Sequence, residues 1–201
     1  LPFSNYAHPA PVSLPPLPSF MSEDIPATPK IEHFPAEEKE ALRRLDTFLS
    51  GPVHDYADAR NRMDIDGTSS LSPYLRFGML SARTAVSAAM ETARESDDSI
   101  VRKGCEVWIN ELIWREFYQA ILYHFPFVLK TAFNAGLRNI PWRNAPAELQ
   151  AWQQGLTGYP VVDAAMRQMN TTGWMHNRAR MITASFLLKY LLINWQEGER
   201  L

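Results

Sequence analysis

The sequence predicts an all-α domain of roughly eight to ten helices. Three observations carry that expectation. Apolar residues recur three and four apart, as in Leu42, Leu45 and Leu49, and again in Val107, Trp108, Leu112, Phe117, Ile121 and Leu122. Prolines at 126, 141, 146 and 160 stand between such stretches, where a residue without an amide donor does least harm. No stretch alternates apolar and polar residues with the period of two that a half-buried strand needs.

Residues 1–35 hold nine of the 15 prolines. Pro9, Pro11, Pro15, Pro16 and Pro18 exclude helix and central strand, so this stretch reads as an extended, polyproline-like linker. Phe3, Tyr6, Leu14, Leu17 and Phe20 are interleaved with the prolines, and such a linker is expected to lie against a surface. The helical domain then runs over 36–201. Its first helix spans 36–50, with Glu37, Glu38 and Glu40 at its positive end and Gly51 as its stop. A short helix holding Tyr56 follows Pro52. The polar turn Asp66-Gly67-Thr68-Ser69-Ser70-Leu71-Ser72-Pro73 ends in a Ser-Pro pair that predicts an N-cap at Ser72. An alanine-rich helix is expected over 81–95 and a long one over 99–124. Shorter helices follow, then a last long one over 174–195.

Composition bounds the function. The chain has 201 residues, 46% hydrophobic and 21% charged, a core-forming mix for one domain. Net charge is −2, but residues 1–100 carry −6 and residues 101–201 carry +4. A polyanion would therefore favour the C-terminal half. The lone Cys105 excludes an internal disulfide and a cysteine-rich metal site, and it leans towards a reducing, cytoplasmic setting. No apolar run approaches the roughly 20 residues of a membrane span, so no membrane partner is expected. The N-terminus has neither an initiator Met nor a basic leader, and the chain is expected to be an excerpt of a longer one.

Three constellations could carry chemistry. Thr68, Ser69, Ser70 and Ser72 gather hydroxyls immediately before a helix start, a ready anion site that lacks the Walker pattern. Trp108, Glu111, Trp114 and Arg115 share one helical face. Either Glu111 and Arg115 form an i,i+4 pair on a solvated helix, or the stripe is a cavity wall with indoles for stacking, a carboxylate acceptor and a guanidinium for an anion. Trp174, Asn177, Arg178 and Met181 repeat that pattern, with Arg180 beside Asn177. His176 has no ligand partner at i+4, so no metal site is expected there. No nucleophile and base stand together.

These segments together resemble the photolyase/cryptochrome flavoproteins, in their helical FAD-binding domain. The resemblance runs from about Val53 to Leu201. It rests on the Tyr56 helix, Thr68-Ser69-Ser70-Leu71-Ser72-Pro73-Tyr74-Leu75, the Trp108–Tyr118 stretch, Gly158–Arg167 and Thr172–Met181. The wording is most similar to bacterial class I enzymes that repair cyclobutane pyrimidine dimers.

The resemblance implies a light-driven repair reaction on dimer-containing DNA, in which excited, reduced FAD lends an electron to the dimer and the ring splits. It implies that Tyr56, Thr68, Ser69, Ser70, Leu71, Ser72, Trp108, Glu111, Arg115, Asn177 and Arg180 surround FAD. Glu111, Trp114, Asn177 and Met181 would meet the flipped-out dimer, and Arg178 the DNA. Trp142 and Trp195 match two members of the family's electron-transfer chain. An antenna chromophore belongs to an N-terminal domain that this sequence does not include. The chain also stops before the family's Asp-Gly-Asp and Asn-Asn-Gly stretch. The parent is thus expected to be a monomeric enzyme, and the piece alone to be inactive, flavin-free and prone to self-associate. Two rival readings are a cryptochrome that signals without repair and, for the piece alone, a cofactor-free helical binding module.

Overall fold

The structure, a computed structural model, describes residues 33–200. The linker expected over 1–35 thus lies almost wholly outside the described residues. The Phe34 ring meets Tyr74 edge-on at 6.3 Å. Among the described residues there are nine α-helices and no strand.

Five of the helices build a first core: α1 (Glu38–Ser50), α2 (Tyr56–Ala59), α3 (Ser72–Arg76), α4 (Ala82–Glu95) and α5 (Ser99–His124). Ser81 caps α4 by accepting from the Thr84 amide at 3.0 Å. Asp98 caps α5 by accepting from the Ile100 amide at 2.7 Å. Both caps fill donors that a helix start leaves orphaned. Ala85 and Ala89 are fully buried, which lets α4 lie close along α5. Phe48 packs on Tyr56 at 5.3 Å and on Trp108 at 5.2 Å, joining α1, α2 and α5. Gly104 is where α5 meets the chain backbone: a Cβ there would stand 1.8 Å from the Val53 carbonyl oxygen.

The second core is built by α6 (Pro146–Gln154), α7 (Pro160–Thr172), α8 (Asn177–Ser185) and α9 (Trp195–Glu199), around Trp152, Val162, Met166, Met175, Phe186, Leu187 and Ile193. Pro146 and Pro160 open their helices, where no amide partner is lost. Gly155 ends α6 at φ 66°, and a Cβ there would meet the Asp163 carbonyl oxygen at 2.7 Å. The Asp163 carboxylate ties this corner. It accepts from the Thr157 amide and hydroxyl at 2.8 and 2.6 Å and from the Gly158 amide at 2.9 Å. Burial pushes its pKa up, but these hydrogen bonds and the nearby Arg167 charge outweigh that and hold the carboxyl below its ordinary range.

Two expectations are corrected. The helix expected over 174–195 is broken. Only Asn177–Ser185 is α-helical; Phe186–Tyr190 forms a π-turn, and Leu192 adopts φ 54°. Asn194 then caps α9. No Gly or Pro marks this break. Arg143 holds it from outside, donating its amide to the Leu192 carbonyl at 2.8 Å and its guanidinium to that of Leu191 at 3.1 Å. Secondly, Ser72 is the first helical residue and not the cap. Leu71 takes the cap position with no side-chain hydrogen bond, because Ser70 at φ 49° has already turned the chain. Along the apolar stripe of α5, Trp108 and Leu112 are buried, whereas Phe117 and Leu122 are exposed.

Candidate functional site

A cavity of about 640 Å³ lies between the two cores. Its first wall is the turn before α3. Gly67 makes that turn possible: a Cβ there would stand 2.7 Å from the Ala59 Cβ and 3.0 Å from the Ala59 carbonyl oxygen. Thr68, Ser69, Ser70, Leu71 and Ser72 all border the cavity, although the Leu71 side chain is buried in the first core. The Trp108 indole donates to Ser69 Oγ at 3.2 Å. The Ser69 hydroxyl proton is thereby left to donate to something else.

Tyr56 and Glu111 belong to the second wall, and Arg60 stands behind them, outside the lining. Burial pushes the Tyr56 phenol up to about 12, against the pull of the Arg60 charge and with Glu111 adding to the rise. It stays protonated at any physiological pH. The Arg60 guanidinium lies 5.9 Å from the Tyr56 ring and 2.7 Å from a Glu111 carboxylate oxygen. Glu111 is therefore held by Arg60, and the i,i+4 pair with Arg115 does not form. Arg115 instead pairs with Glu116 and reaches the Leu75 carbonyl oxygen at 3.4 Å. From the second core, Trp174, Asn177 and Arg180 close the cavity, with Arg180 Nε donating to the Met175 carbonyl at 3.3 Å.

Of the residues expected to meet the dimer or the DNA, Glu111 and Asn177 line this cavity, whereas Trp114, Arg178 and Met181 do not. Trp114 is 53% exposed and stacks on Tyr118 with centroids 6.0 Å apart. Arg178 and Met181 lie on a different face of α8 from Asn177 and Arg180, so the single face expected for Trp174, Asn177, Arg178 and Met181 divides in two. Asn61 Oδ1 accepts from Arg178 Nε at 3.0 Å and also from its Nη2. Trp195 borders another cavity, of about 430 Å³, beside Trp152 and Met166. Trp142 is half-buried in the segment before α6 and borders neither cavity.

His176 caps α8: its Nδ1 accepts from the Arg178 amide at 3.1 Å. Its Nε2 is buried without a partner among the described residues. Burial and then the Arg178 charge lower its pKa. Between that lowered value and the unfolded value of about 6.5, the unfolded chain binds more protons. The contribution is thus complete above about pH 6.5 and is lost as pH falls through the folded value. His176→Asn keeps a capping acceptor but cannot take the proton. Its urea midpoint should fall less between pH 7 and pH 5 than that of the parent. Equal falls in both proteins would show that His176 does not report this linkage.

Comparison with known proteins fits this geometry. Residues 108–201 match the family described as the FAD binding domain of DNA photolyase. The deoxyribodipyrimidine photo-lyase of Escherichia coli K12 is 48% identical over 169 residues, which is 84% of this chain and 35% of that protein. The chain belongs to the photolyase/cryptochrome family. The Synechococcus photo-lyase is 47% identical over 83% of the chain and 35% of its own length. Among solved structures, a class III photolyase from Agrobacterium tumefaciens aligns with a TM-score of 0.73 at 40% identity, covering 81% of this chain and 33% of its own. A Synechocystis cryptochrome aligns at 0.74 and 36%, covering 84% and 35%. The chain thus spans about a third of the length of the curated photolyases it matches. No helix among the described residues is long and apolar enough to cross a membrane.

Sequence reasoning missed Arg60 and Asn61 in this photolyase domain. Arg60 was within reach, since it stands four residues after Tyr56, on the same helical face. Asn61 holds an arginine 117 positions away, and no local pattern announces it.

Proposed function

We propose that this chain is part of a light-driven enzyme that splits cyclobutane pyrimidine dimers in DNA, with FAD held in the cavity between the two cores. The observation that carries this reading is the convergence, on one cavity, of the Thr68–Ser72 turn, Trp108, Arg115, Asn177 and Arg180. The donor set fits a flavin dinucleotide. The hydroxyls of Thr68, Ser69, Ser70 and Ser72 suit pyrophosphate oxygens, and Arg115 and Arg180 offset their charge. Tyr56 offers a protonated phenol, and Trp108 a flat wall. When bound, reduced and excited by light, FAD supplies the electron that opens the dimer.

The remaining roles fall to residues of the chain. Glu111, aimed by Arg60, accepts from a flipped-out base, and Asn177 lines the same cavity. Trp114 and Met181 present flat and soft apolar surface to that base, and Arg178 meets a phosphate. Trp142 and Trp195 relay electrons towards the flavin. A light-harvesting second chromophore belongs to another part of the protein. A signalling role is the second reading, favoured by the Synechocystis cryptochrome alignment. Blue-light dimer splitting by the protein that carries this chain tests the two: repair is expected, and its absence with flavin bound would favour the second.

A sharper test separates lesion from backbone. Trp114→Ala should weaken binding to dimer-containing DNA about 5- to 150-fold, the equivalent of roughly 1–3 kcal/mol per stacked base. Binding to undamaged DNA should stay within about twofold, because no base is flipped onto the indole. Arg178→Ala should weaken both and reduce the salt slope by about one contact. Equal losses on both DNAs for Trp114→Ala would make the indole a packing residue.

A further inference from the structure

Beside the face that carries Arg178 and Met181 lies a separate cavity of about 500 Å³, which the flavin reading leaves without a role. That is the size of a small-ligand pocket. Phe186 is its buried floor. Tyr159 packs against Phe186 with centroids 4.8 Å apart, and Tyr190 stacks on it at 5.6 Å with planes 18° apart. Both tyrosines are exposed, Tyr190 at 70%. Arg178 and Met181 border the same cavity, and Arg178 is the one charged residue in its lining.

The break in the last helix creates this arrangement. The π-turn Phe186–Tyr190 places two rings four residues apart nearly parallel, and Tyr159 reaches them from the residue that precedes α7. The packing of the second core uses Phe186. It does not account for two large exposed rings set around that floor beside an arginine.

We infer that the Tyr159–Phe186–Tyr190 cavity is a stacking subsite for an unpaired base of the DNA strand whose phosphate Arg178 meets. The inference rests on the proposed DNA-facing role of Arg178. Three features select a nucleobase as occupant. The walls include the rings of Tyr159, Phe186 and Tyr190, and aromatic rings stack on every base regardless of sequence. The charge in the lining is positive, with no carboxylate to repel a phosphate. The cavity is bordered by Arg178 and Met181, two of the residues proposed to face the DNA and the lesion. A strand bent outward at a lesion would carry a neighbouring base into reach of these rings.

The test is binding of a single-stranded oligothymidylate to the protein, followed by fluorescence anisotropy at several salt concentrations. Tyr190→Ala and Tyr159→Ala should each weaken binding at least fivefold with the salt slope unchanged, because stacking releases no counterions. Tyr190→Phe should bind like the parent, since it keeps the ring. Tyr123→Ala, an exposed aromatic change on α5, should also leave binding unchanged. Arg178→Ala should reduce the slope by about one contact. If both tyrosine-to-alanine variants bind within twofold of the parent while Arg178→Ala lowers the slope, the stacking subsite is overturned and the DNA-facing reading stands. The groove would then be an apolar surface for a protein partner. An unchanged slope in Arg178→Ala overturns the DNA-facing reading itself. No binding by the parent protein, or equal loss in Tyr190→Phe and Tyr190→Ala, also overturns the subsite.

Discussion

Gly104→Ala is expected to destabilise the protein by about 3 kcal/mol or more, the upper range for overpacking a core. The added methyl would stand 1.8 Å from the Val53 carbonyl oxygen and 2.9 Å from its carbonyl carbon. Backbone cannot rotate aside as a side chain can, so α5 must move away from the segment that joins α1 to α2. Trp108 lies one turn further along α5, where its indole touches both Phe48 and Ser69. Moving α5 outward therefore loosens the first core and misplaces the cavity floor together. Chemical denaturation followed by tryptophan fluorescence measures the first effect. Gly136→Ala is the control, because its methyl would meet only the Asn134 side chain, at 3.4 Å, and should stay within about 0.5 kcal/mol of the parent. A midpoint for Gly104→Ala as close to the parent as the control would show that α5 has room to shift.

The sequence made the helices legible and their mutual arrangement only partly so. Residues 81–95 and 99–124 predict helices that the structure places at Ala82–Glu95 and Ser99–His124, because capping residues and apolar spacing act locally. The break at 186–194 was not legible. Its stabilising partner, Arg143, lies 48 residues from Leu191, and the apolar pattern Phe186-Leu187-Leu188 reads on as helix. The site shows the same division. The Thr68–Ser72 turn and the Trp108–Arg115 stripe are contiguous in sequence, and both reach the cavity, apart from Trp114. The Arg60–Glu111 and Asn61–Arg178 pairs join α2 and the residues just after it to α5 and α8. The first depends on how α2 packs on α5 within the first core and the second on how the two cores face each other, and no window of one helix contains either.

Ser69→Glu is expected to abolish flavin retention by the protein that carries this chain, and its comparison with two milder variants gives the reason. Ser69→Ala removes one hydroxyl, a loss of about 0.5–1.5 kcal/mol, or roughly 2- to 12-fold in affinity. Ser69→Glu adds a negative charge beside the proposed pyrophosphate position. Two like charges about 4 Å apart at an effective dielectric near 20 repel by about 4 kcal/mol, close to a thousandfold. The glutamate variant should therefore lose FAD during gel filtration, while the alanine variant keeps most of it. Ser69→Gln has the bulk of glutamate without its charge, and it separates repulsion from crowding. If charge is the cause, Gln binds far better than Glu and its affinity varies with ionic strength as the parent's does, whereas Glu gains on the parent as salt screens the repulsion. Equal loss in Gln and Glu would mean that the turn has no room for a longer side chain beside Trp108. Flavin bound at parental stoichiometry in Ser69→Glu would place the pyrophosphate elsewhere in the cavity, and Arg115 and Arg180 would then be the first residues to test in its place.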